Sequence, residues 1–164
     1  MAFFDELNTN INIILENIFD DQDLCKLIYY NEPNPLSQPN ISDTTTLLFD
    51  RVFPYPKKPR SESYKGTDLN IYFSSSKPQG NSAFRNTILC FDIMCHIDVW
   101  SIASALRPYS ISSKIDTIFN RLYNTDLSIN YIFFQSWIPV QYSDYYYGYH
   151  LKYLLSDNSN LGCD

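Results

Sequence analysis

Apolar residues recur along this chain with two different periods. Phe4, Leu7, Ile11, Ile14 and Ile18 are spaced 3, 4, 3, 4. That spacing predicts one stripe of an amphipathic helix. Asp5 and Glu6 fall in its first turn, where the helix dipole favours acids. A shorter helix is expected around Leu24, Leu27 and Ile28, preceded by Asp20, Asp21 and Asp23. Periodicity then stops. Residues 31–46, NEPNPLSQPNISDTTT, hold three prolines and read as a long irregular loop. Loops of that length usually bind something or wrap a neighbour.

Period two follows. Leu47 to Phe53 predicts a short strand, closed by Pro54, Pro56 and Pro59 into an extended basic segment. Leu69, Ile71 and Phe73 alternate within Thr67–Phe73. SSSKPQGNSAFR reads as a turn-rich loop, and Asn86–Trp100 as a second strand, giving a β-hairpin with a long tip. Strands usually run about 5–6 residues, so one this long must bend at a bulge or project from its domain. Ile111, Ile115, Ile118 and Leu122 restore helical spacing. Ser113 and Asp116 resemble a capping pair, and Pro108 opposes an earlier start. Ile129–Val140 and Tyr145–Leu155 read as closing strands around QYSD, and 156–164 as a polar tail. The expected fold class is α+β: an antiparallel sheet of about four or five strands, helices on one face, in a single domain over 1–155 with residues 31–66 inserted.

The 164 residues suffice for a real core. Fourteen Tyr and eleven Phe suit half-buried sheets and interfaces. The net charge of −6 is unevenly distributed. Residues 1–50 hold nine acids against Lys26 alone, whereas 51–85 hold seven bases against Glu62 and Asp68. Such blocks on one chain can steer copies together, or meet a partner. An acidic whole argues against nucleic acid as the main ligand, although Arg51 to Lys65 remains a candidate phosphate-contacting segment. Cys25, Cys90, Cys95 and Cys163 show no CxxC spacing and predict free thiols. No apolar run approaches a membrane span.

Candidate chemistry concentrates in NTILCFDIMCHIDVW. At period two, Cys90, Asp92, Met94, His96 and Asp98 share one face, and Leu89, Phe91, Ile93, Cys95, Ile97 and Val99 the other. Asp92, His96 and Asp98 are therefore candidates for a metal-dependent hydrolase. The simpler reading is a sheet with one dry and one wetted face. A third metal ligand is missing, since His150 is the only other histidine. Phosphate-binding and nucleophile-elbow motifs are absent, and four glycines leave little room for a phosphate cradle. No cofactor is expected. In SDYYYGYH, Tyr145, Tyr146 and Tyr147 are expected on an edge strand, at least one of them open to a neighbour.

The helix Phe4–Ile18, the strand ending in IDVWS (Ile97–Ser101) and the helix around KIDTIFNRL (Lys114–Leu122) come in an order that resembles the tail-terminator and head–tail completion proteins of tailed bacteriophages. The resemblance covers most of 1–155 as a pattern. It implies a structural virion protein without catalysis, forming a hexamer-like ring at the phage neck or tail end. The implied partners are other copies and neck, portal-side or tail-tube proteins, with passing DNA met only non-specifically and no membrane. Arg51, Lys57, Lys58, Arg60, Lys77, Arg85, Tyr145, Tyr146 and Tyr147 are the expected contact residues.

Overall fold

The structure is a computed structural model that describes residues 3–79, 81–122 and 131–156. Helix α1 (Phe3–Asp20) follows the predicted stripe, but only its C-terminal half reaches the core. Ile14, Leu15, Ile18 and Phe19 are buried, whereas Phe4 is 78% exposed. Helix α2 (Gln22–Tyr29) starts where Asp21 accepts a hydrogen bond from the Leu24 amide at 2.9 Å. That cap satisfies one of the free amides of the first turn.

The expected strand Leu47–Phe53 shrinks to β1, Val52–Phe53. Asp43 caps a 3-10 turn over Thr44–Leu47, which sends Leu47 into the core. The chain then reverses through Phe49, whose φ is 60°. The Asp50 and Arg51 amides both donate to the Leu47 carbonyl, and the Phe49 amide to Val52. A left-handed residue bearing a Cβ costs roughly 1–2 kcal/mol. Phe49 is also 63% exposed, so burial of its own side chain offsets little of that strain.

Strands β2 (Thr67–Gln79) and β3 (Asn81–His96) form the long hairpin. The stretch expected as its loop is strand instead. Its polar residues pair chiefly with one another across the ladder, as in Ser76 with Thr87 at 3.0 Å, so they need no dry face. A register shift between Phe73 and Ser75 places a bulge in β2, not in the Asn86–Trp100 strand where one was expected. Pairing of β3 with β7 ends at Asn86–Ser156, so the hairpin runs on as an arm beyond that row. At the other end β3 stops at His96, not Trp100, and Ile97–Val99 forms a 3-10 turn.

A two-stranded ribbon, β4 (Ser101–Ile102) with β5 (Ala105–Leu106), leads into α3 (Arg107–Leu122). This helix begins six residues before the expected cap at Ser113, with Pro108 inside its first turn. Proline is tolerated there because that amide has no partner within the helix. Strands β6 (Tyr131–Gln141) and β7 (Tyr146–Ser156) complete a five-stranded sheet of order β1-β2-β3-β7-β6. All its pairs are antiparallel except β1 with β2. The fold is α+β, as expected. Strand β7 is interior, which corrects the expectation that the tyrosine run lies on an edge. Gly148 permits the close β3–β7 approach, because a Cβ there would lie 1.7 Å from the Ile93 carbonyl oxygen.

The helices share one core with a single face of the sheet. Ile111, Ile115, Ile118 and Phe119 join Leu69, Ile71, Phe91, Ile93, Leu151 and Tyr153 there. Each such side chain contributes about 1.5–3 kcal/mol when fully buried. Ile129 and the tail from residue 157 lie outside the described residues.

Candidate functional site

The second face of the sheet carries Asp68, Asn70 and Tyr72 on β2, Cys90, Asp92, Met94 and His96 on β3, and Tyr146, His150 and Lys152 on β7. The expectation was a wetted wall. The structure corrects it: Asp68, Asn70, Cys90, Met94, His96 and Tyr146 are all at most 2% exposed, and Asp92 only 7%.

The cover over the β2 end of this face is the proline-rich basic segment. Asp68 accepts from Arg60 Nε at 2.9 Å and from Lys57 Nζ at 3.4 Å. Asn70 Nδ2 donates to the Lys57 carbonyl at 2.9 Å, and Tyr146 Oη to the Tyr64 carbonyl. The Arg60 and Arg51 guanidinium groups lie over the Tyr64 ring, 4.2 and 4.7 Å from its centroid, and the Lys57 ammonium over Phe53 at 4.4 Å. Burial nonetheless holds the Asp68 carboxyl above the usual carboxylate range, against the pull of Arg60 and Lys57. The bases read as a phosphate-contacting segment are thus partly engaged inside the chain. Arg51, Lys57 and Arg60 turn inward, Arg85 is half-buried, and Lys58 and Lys77 stay exposed.

Asp92, His96 and Asp98 are not brought together. Asp92 faces His150 instead, with Oδ1 and Nδ1 2.5 Å apart. Tyr142 Oη donates to the same carboxylate at 3.5 Å, and Tyr72 also bonds it. Burial, reinforced by the Asp92 charge, pushes both phenols well above their usual range. His96 lies against two rings, Tyr145 stacked at 6.1 Å and Tyr146 edge-on at 5.3 Å. Its Nδ1 accepts the Asp98 amide at 3.1 Å, so in the neutral ring the proton sits on Nε2. Asp98 turns outward to Lys65 at 2.6 Å, and that bond holds its carboxyl below the usual range. Among the described residues no group of three His, Cys, Asp or Glu is placed to share a metal ion. The thiols are equally quiet: burial pushes Cys25 up to about 12 and Cys95 up to about 11, and raises Cys90. Nucleophilic cysteine requires the opposite shift.

Two residues escaped the sequence reading. His150 meets Asp92 only through the β3–β7 register, although its polar place opposite the tyrosine face was a signal. Arg107, fully buried, donates Nε to Val99 at 2.7 Å, Nη1 to Leu27 at 2.6 Å and Tyr30 at 2.7 Å, and Nη2 to Glu32 at 3.1 Å. All four acceptors are main-chain carbonyls, so no acid in the sequence announced its role. The end of α2 and the 97–99 turn are thereby tied to the start of α3.

What the chain leaves open is apolar. Strand β6, YIFFQSWIPVQ, carries no charged residue, and among the described residues no strand pairs with its outer edge. Phe134 and Ile138 on it are 56% and 47% exposed. A groove of about 770 Å³ at its C-terminal end is lined by Ile97, Trp100, Pro139, Val140, Tyr147 and Tyr149 among others. A second, of about 420 Å³, lies between α3 and β6, bounded by Tyr109, Phe134 and Trp137. Of the tyrosine run, Tyr146 is buried, Tyr147 is half-buried in the larger groove, and Tyr145 is 38% exposed. No helix among the described residues is long and apolar enough to cross a membrane.

The molecule is thus an α+β protein whose polar face is largely sealed by its own chain and whose open surface is an apolar strand edge. Residues 21–155 match the YomW family model, and the chain belongs to that family, which is phage-derived and of the kind found in SPbeta-like prophages of Bacillus. No curated protein matches the chain significantly.

Proposed function

We propose that this phage-related protein is a structural part of the virion: a ring-forming tail-terminator or head–tail joining protein at the neck, with no reaction centre. One observation carries the reading, the uncharged edge of β6, with which no strand pairs among the described residues. Exposed, long apolar edges are ready templates for association, and proteins that stay monomeric blunt them with charge. The polar groups first read as chemistry hold parts of the chain to one another. The opposite charges read as pairing between copies are in part neutralised within one, as in Lys57 and Arg60 with Asp68 and Lys114 with Asp23. The contact between copies is therefore mainly apolar. The hairpin arm, bearing exposed Lys77, supports the reading too, since it reaches beyond the last row of the sheet shared with β7.

Light scattering and native mass spectrometry of the purified chain test this. A discrete multimer of about six copies is expected. A strict monomer at high concentration, with no stable binding to neck or tail-tube proteins, would overturn it.

A further inference from the structure

Phe49 stands out on two counts. It is a bulky residue held at φ 60°, and it is 63% exposed. A turn at this point needs neither an aromatic nor a Cβ; glycine would form it without strain. Outliers of this kind persist where a site uses them. The ring is also organised, since it stacks on Tyr55 with centroids 6.5 Å apart and planes 25° from parallel, and Tyr55 is itself 44% exposed. Two stacked, exposed aromatic residues thus lie beside β1.

The register of the sheet gives this projection a counterpart. Val52 pairs with Leu69, Leu69 with Ile93, Ile93 with Tyr149, and Tyr149 with Pro139. One row therefore runs from β1 on one edge to β6 on the other, roughly 19 Å at the usual strand spacing. Phe49 is bonded to Val52 at the first end of the row. The large groove begins at Pro139 and Tyr149 at the second end. An aromatic projection and an apolar recess occupy opposite edges of one molecule at the same height.

We infer that the Phe49–Tyr55 pair is the docking element by which one copy seats in the groove of the next, against Ile97, Trp100, Pro139 and Val140. The occupant is a second copy of this chain, because the chain itself carries both complementary parts. Copies turned about an axis along the strands keep their rows level, so each projection meets the next recess. Such a contact joins unlike surfaces and closes into a ring. The inference rests on the ring reading above and specifies its interface.

Sedimentation velocity and native mass spectrometry of the wild type, Phe49→Gly and Ile97→Asp decide it. Ile97 is 54% exposed, so its replacement leaves the core intact. Both variants are expected to weaken assembly by about tenfold or more, as loss of an interface anchor does, while Phe49→Gly melts no lower than wild type. A Phe49→Cys, Val140→Cys pair on separate copies is expected to cross-link under oxidation. If the wild type forms rings and both variants form them equally well, this contact is wrong and the ring reading stands. If Phe49→Gly melts lower yet assembles normally, the ring serves internal packing and the inference falls. If the wild type never assembles, the ring reading fails first and takes the contact with it.

Discussion

Asp92 and His150 oppose each other across the β3–β7 ladder, and their side chains meet at 2.5 Å on a face that is only slightly exposed. Tyr72 and Tyr142 converge on the same carboxylate. Asp92→Ala would take this partner from the His150 imidazole and the Tyr72 hydroxyl, while Tyr142 keeps its bond to the Tyr149 carbonyl at 3.1 Å. It is expected to lower stability by about 1–3 kcal/mol, the range for a buried polar group left unpaired. Urea denaturation reads this directly; an unchanged midpoint would mean that water reaches both partners.

The Arg107 side chain donates to four main-chain carbonyls. Arg107→Ala releases four main-chain carbonyls, two of them on the buried residues Leu27 and Val99, and is expected to cost about 3–5 kcal/mol. Lysine should not rescue it, because one ammonium cannot reach acceptors spread as a planar guanidinium does. Chemical denaturation of both variants checks this, and near-wild-type stability of the lysine variant would contradict it.

Gly148→Ala tests the strand approach. The added methyl meets the Ile93 carbonyl, which belongs to the backbone and cannot swing away. A loss of at least about 3 kcal/mol, or failure to fold, is expected from overpacking of this severity. A folded protein with an unchanged melting temperature would show that the two strands can part there.

Alkaline pH should unfold the protein through its tyrosines. Burial pushes Tyr146 and Tyr149 up to about 12, with the Tyr109 hydroxyl adding to the shift at Tyr149. The folded state therefore holds protons that the unfolded chain releases near pH 10. The resulting stability is complete below pH 10 and is lost as pH rises from about 10 to 12. Melting temperature followed against pH, with phenolate absorbance, checks this. Full phenol ionisation near pH 10 without unfolding would contradict it.

The lid over Asp68 predicts a protease pattern. Lys57, Lys58 and Arg60 sit in an extended segment that should resist trypsin while Asp68 anchors it. Asp68→Ala leaves Lys57 and Arg60 without their buried partner. Cleavage after Lys57 and Arg60 should rise several-fold relative to the native chain, as local opening becomes easier. Equal cleavage rates would show that the aromatic contacts alone hold the segment.

The helices and the α+β class were legible because burial on one side imprints a period that survives in the residues, as at Ile111, Ile115 and Ile118. Three features were not legible. The arm around Ser76 and Thr87 lacks a dry face, so its strand character left no apolar alternation. The second face of the sheet looked wetted because its cover, the segment around Lys57 and Arg60, is itself charged, and charge in a sequence reads as solvent contact. The grouping of Asp92, His96 and Asp98 followed from parity alone. Parity says which side a residue points to, not which of its neighbours on that side it finds, and the register of β7 gave Asp92 to His150.

The bonds of Arg107 reach back 75 to 80 residues along the chain. Closing a loop of that length carries an entropic cost that must be met before any of the carbonyl contacts repays it. These contacts are therefore expected to form on the late side of the folding barrier. A defect at Arg107 acts as a faster exit from the native state, with the rate of entry nearly untouched. In these terms the residue is a latch on the lifetime of the folded chain.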